Sequence, residues 1–183
     1  MKRIFTIIAF ACITLFAFSQ NIPAGMRMEL TEVEENNNEY SIFTYKDQDG
    51  TFGYYMSLGH VYHLLEIIRD DVTDMSLDHI EETCLWLGAN PEEALATIEA
   101  LLEMLDKPEG TTAEYPCRIS TGAGRLGDSS TAFCFVVKRL LQGKRLCFHF
   151  QVRNHTAEAD LTKSAIKSLR WNFNLYQKMH PNG

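Results

Sequence analysis

The side chains able to handle protons or metals are few and scattered. His60 and His63 lie three residues apart, and Glu66 follows three further on. If they stand on a helix, each three-residue step drifts by about −60°, so His60 and Glu66 diverge around the axis. His60 and His63 are therefore candidate metal ligands in an incomplete set, since a catalytic zinc wants three protein ligands and an open position. The same histidines, or His149, paired with a carboxylate would be the working parts of a small hydrolase. No Gly-x-Ser-x-Gly elbow accompanies them.

Gly122-Ala123-Gly124-Arg125-Leu126-Gly127 carries the glycine spacing of a dinucleotide fingerprint. That mechanism needs a helix opening at the loop, so that its N-terminus meets a pyrophosphate. The residues that follow favour a strand, and no cofactor is expected. Successive glycine amides with Arg125 as counter-charge could instead form an anion nest, against the plainer reading of a hairpin loop. Asp47-Gln48-Asp49-Gly50 resembles the middle of a calcium loop. Tyr45 occupies the first ligand position and no closing Glu follows, so a hairpin turn fits better.

A second kind of chemistry is electrostatic. A C-terminal helix over 159–178 would place Leu161, Ala165, Leu169, Phe173 and Tyr176 on one face. Lys163, Lys167, Arg170, Asn174 and Lys178 would then fall on the opposite face, edged by Trp171 and Leu175. Trp171 lies four residues from Lys167, within reach of a cation–π contact. Such a stripe suits an anionic polysaccharide or a lipid headgroup. The alternative is a solvated amphipathic helix whose cations complement its own dipole. Residues 66–109 hold thirteen acids against Arg69 and Lys107, whereas the cations gather in the last third. Proximity of the two regions would cancel much of either field.

Four cysteines, Cys84, Cys117, Cys134 and Cys147, lie beyond the N-terminal segment. Their even number in an exported chain favours disulfides, with three possible pairings. All four also fall within apolar segments, where a thiol behaves as a small hydrophobe. Both readings stand at this point.

Export itself is read from residues 1–19. Lys2 and Arg3 precede an apolar run over Ile4–Phe18, and Ala17 and Ser19 occupy the −3 and −1 positions of a small-residue cleavage site. This is the pattern of a secretory signal peptide, which implies a periplasmic or secreted protein. Residues 20–183 then form one domain, as expected for a chain of 183 residues. The net charge of −7 argues against a nucleic-acid binder, and no run reaches the length of a membrane-spanning helix.

The elements that must position these residues follow from periodicity. Met26–Val33 alternates as a strand, and aromatic runs at 40–46 and 51–57 flank Asp49-Gly50 as a hairpin. Helical spacing appears at 59–69 (Val61, Leu64, Leu65, Ile68) and at 77–87 (Leu77, Ile80, Cys84, Leu87). A further helix is marked by Asn90 as cap, Pro91 at the first helical position and Glu93 closing a capping box. Strands are read at 115–120, 131–141 and 144–153, before the C-terminal helix. The pattern predicts an α+β fold: an antiparallel sheet built from two ββα-like units, with about four helices packed on one face. With no catalytic constellation in evidence, the chain reads as a non-enzymatic exported module that binds a protein partner or an anionic ligand.

Overall fold

The computed structural model describes residues 22–35, 38–69, 72–121, 125–140, 143–152 and 155–181; at 60–69, 72–81, 121, 152 and 155–157 it describes the backbone alone. The leader read at 1–19 lies outside the described residues. The chain forms strands β1 (Met26–Glu35), β2 (Asn38–Lys46), β3 (Phe52–Arg69) and β4 (Val72–Gly88), then helix α1 (Pro91–Asp106). Strands β5 (Thr112–Thr121), β6 (Arg125–Arg139), β7 (Gly143–Val152) and β8 (His155–Thr162) follow, and helix α2 (Lys163–Met179) is the last element. The eight strands make one antiparallel sheet in the order β1 to β8, each bonded to its chain neighbour.

This corrects the expected architecture. The described residues hold two helices, not about four, and the repeating unit is four strands and a helix, not ββα. The segments 59–69 and 77–87 continue β3 and β4 as strands. The physical reason is visible in β4, where Cys84 and Leu85 are both fully buried although they face opposite sides of the sheet. A strand covered on both faces carries consecutive apolar residues, and that run mimics helical spacing. Gly59, which reads as a helix start, adopts φ +97° where the β3–β4 register shifts between Ser57 and His60.

Other expectations hold. Asp47 and Thr51 close the β2–β3 turn, with Gly50 at φ +90°. The 131–141 segment is strand. Asn90 caps α1 by accepting from the Glu93 amide at 2.9 Å, and the Glu93 carboxylate accepts from the Ala89 amide at 2.8 Å. Helix α2 starts four residues later than periodicity suggests, because Thr162 caps it by accepting from the Ala165 amide and 155–162 pairs with β7 instead.

Both helices lie on one face of the sheet. Ile98, Leu101 and Leu105 of α1 and Ile166, Leu169 and Phe173 of α2 join Tyr40, Met56, Leu85, Leu146 and Phe148 in the main core. The opposite face carries a smaller aromatic core of Phe43, Tyr45, Tyr55 and Cys84, with Trp86 packed against it. Arg27 lies over the Phe43 ring and pairs with Glu29 and the buried Glu82. The Tyr40 hydroxyl donates to the Asp160 carbonyl at 2.8 Å, and the Thr162 hydroxyl donates to the Glu35 carboxylate. These two contacts draw the β1–β2 hairpin toward β8. Among the described residues no helix is long and apolar enough to cross a membrane.

Candidate functional site

Helix α2 delivers most of the cationic residues singled out above. Ala165, Ile166, Leu169 and Phe173 are buried, which turns Lys163, Lys167, Trp171 and Lys178 outward. The stripe is partly neutralised by α1. Lys163 Nζ lies 2.8 Å from Asp106 Oδ1, and Arg170 donates to both Glu99 carboxylate oxygens at 2.8 and 3.0 Å. Its hydrogen bond from Lys163 holds the Asp106 carboxyl below the usual aspartate range. The acidic and basic halves of the sequence thus meet at the α1–α2 contact. Lys167 and Lys178 are exposed. Between them and the exposed Leu175 and Met179 stands Trp171, with 71% of its surface open to solvent.

A cleft of about 400 Å³ opens beside the N-terminus of α2, lined by Leu105, Asp106, Gly143, Lys144, Thr162 and Lys163. Its cations are engaged: Lys163 holds Asp106, and Lys144 donates to the Lys107 carbonyl at 2.6 Å. Among the described residues no histidine lines it.

The second concentration of chemistry lies on the sheet face away from the helices. Cys147 and His149 are two apart on β7 and so share a face. Register brings Asp160 opposite Cys147 and Glu158 opposite His149. His149 Nε2 lies 3.2 Å from Glu158 Oε1, and the Phe135 ring leans on the imidazole at 4.9 Å between centroids. Asp160 pairs with Arg145 at 2.7 Å and Arg139 at 3.0 Å. Burial, then the charge of Asp160, pushes the Cys147 thiol up to about 11. A nucleophilic cysteine needs the reverse shift. Sequence reasoning named His149 but not this grouping. Glu158 falls in the gap between the strand read at 144–153 and the helix read at 159–178, although the alternation of 146–152 already places Cys147 and His149 together.

The disulfide candidates are all unpaired and buried. Sheet parity explains why. Leu85 is opposite Cys117 and Cys84 is opposite Arg118, so Cys84 and Cys117 face opposite sides. Cys134 and Cys147 are one step out of register in the same way, since Phe135 is the partner of Cys147. Cys117 and Cys134 share the helix side, but Cys117 is opposite Ser130. The four residues from there to Cys134 span about 13 Å, beyond the ~7 Å limit for bridging.

The remaining candidates are dispersed. His60 and His63 sit in β3, not on a helix, and their side chains lie outside the described residues. Three-residue spacing is odd in a strand, so the helical argument for a shared ligand set no longer applies. Arg125 opens β6 as an exposed residue opposite Thr121, and the glycines at 122 and 124 lie outside the described residues. The carbonyls of Leu126 and Gly127 accept from Arg118, which also grips Asp47 with both terminal nitrogens at 2.5 and 3.0 Å. Asp47 is therefore committed to an ion pair. Comparison with protein-family models, curated proteins and solved structures finds no match to this chain.

Proposed function

We propose that the protein is a non-enzymatic binding module of the cell envelope or extracellular space, whose contact surface is the outward face of α2 and whose target is an anionic lipid surface. The observation that carries this reading is the exposed Trp171, flanked by Lys167 and Lys178 on one side and by Leu175 and Met179 on the other. An indole offers apolar area with a polar N–H and suits the boundary between headgroups and acyl chains. Each lysine near an anionic bilayer adds about 1 kcal/mol. Lys163 and Arg170 contribute less, because α1 already pairs them.

The hydrolase alternative draws on the His149–Glu158 contact. Against it, Glu158 is largely exposed, the pair lies on an open sheet face, and the adjacent thiol is held protonated.

Vesicles with and without phosphatidylglycerol test the proposal. Anionic vesicles should sediment the protein and shift its tryptophan emission to the blue, and neutral vesicles should do neither. Lys167→Gln combined with Lys178→Gln should weaken binding about tenfold or more. Trp171→Ala should abolish the blue shift. Retention on heparin without vesicle binding would replace lipid with an anionic polysaccharide as the target. Absence of both would overturn the proposal.

A further inference from the structure

We infer that Cys147, His149 and Glu158 form a binding site for a divalent cation of the zinc class. The ligand atoms of these three side chains all lie within 4.8 Å of one another. Tetrahedral zinc with bonds of 2.0–2.3 Å sets its ligand atoms about 3.3–3.6 Å apart. The His149–Glu158 distance of 3.2 Å already matches one such edge. Closing the rest takes side-chain movement of about 1 Å, with no change in the strands.

The scaffold favours this convergence. All three residues stand on adjacent, hydrogen-bonded strands, with Glu158 directly opposite His149. Phe135 packs on the imidazole and restricts its rotation. Asp160 lies beside Cys147 but is held by Arg139 and Arg145, which keeps it out of the ligand set. Burial falls stepwise from Cys147 through His149 to Glu158, so the cation would sit at the surface with its fourth position open to water.

The donor set selects the metal class. One sulfur, one imidazole nitrogen and one carboxylate oxygen suit zinc and its neighbours cobalt and nickel. Calcium and magnesium require oxygen cages and are excluded by this chemistry.

Calorimetric titration of the intact protein with zinc should show one site. Cobalt loading should displace the Cys147 thiol proton into solvent as the metal–sulfur bond forms, and should give a tetrahedral visible spectrum and a near-ultraviolet thiolate charge-transfer band. Cys147→Ser should remove that band. His149→Ala and Glu158→Gln should each weaken zinc binding by at least about tenfold, as losses of this size follow even from disturbing outer-shell partners. Should Cys147→Ser fail to fold, the two more exposed variants carry the test. No zinc binding at about 100 µM, or binding unchanged by His149→Ala, would overturn the inference.

Discussion

Trp86 lies across Gly53 on the neighbouring strand, so closely that a methyl group at Gly53 would come within 1.9 Å of the indole. The same indole meets Tyr55 edge-on, with ring centroids 5.1 Å apart. Gly53 is thus the floor on which the aromatic core of the outer sheet face is laid.

Gly53→Ala must displace Trp86, and with it Tyr55. The expected cost is about 1–3 kcal/mol, as for other overpacked cores. Denaturant titration should show a lower midpoint with an unchanged slope. The emission of Trp86 should move to the red while the already exposed Trp171 contributes as before. A variant as stable as the parent would mean that the indole relocates freely.

Arg118 fastens three elements at once. It grips Asp47 in the β2–β3 turn, touches the Tyr55 hydroxyl at 3.4 Å, and donates to the Leu126 and Gly127 carbonyls of the β5–β6 hairpin. Arg118→Ala should cost about 2–4 kcal/mol, because several acceptors lose a charged donor together. Arg118→Lys should recover little of that loss, since an ammonium cannot reproduce the planar fork. Equal stability of the lysine variant and the parent would show that charge alone matters.

Alkaline pH should destabilise the protein in a defined window. Burial raises the Cys134 thiol to about 12 from 9.0 and the Tyr115 hydroxyl to about 12 from 10.0. The folded state holds these protons after the unfolded chain has released them. Stability is therefore complete below about pH 9 and falls as pH rises toward about 12. Melting temperature measured from pH 8 to 12 should decline over that range. Cys134→Ala should lower the starting value but flatten the slope. A parallel decline in the variant would assign the effect to other groups.

Legibility in the sequence tracked how one-sided each element is. Helix α1 was readable because Asn90, Pro91 and Glu93 mark its start and Ile98, Leu102 and Leu105 mark one buried face. The β2–β3 turn was readable from Asp49 and Gly50. The segments 59–69 and 77–87 carry helical spacing although they belong to strands β3 and β4; in β4 the reason is burial on both faces, which erases the alternation that identifies a strand, as Cys84 and Leu85 show. Strand β8 is hidden because its last four residues fit the period of the helix that follows and 155–158 carry none of their own, and Glu158 is hidden with it. Cys147 reads as a cross-linking candidate, because its registry with Phe135 is a property of the ladder and not of the local sequence.

The consecutive order of the strands has a kinetic consequence. Every ladder joins a strand to the one just before it, and only β4–β5 must reach around a helix. Loop closures are therefore short and each successive pairing fixes little additional chain. The sheet can grow as a zipper from any hairpin that forms first, with no strand waiting for a partner from the far end of the polypeptide.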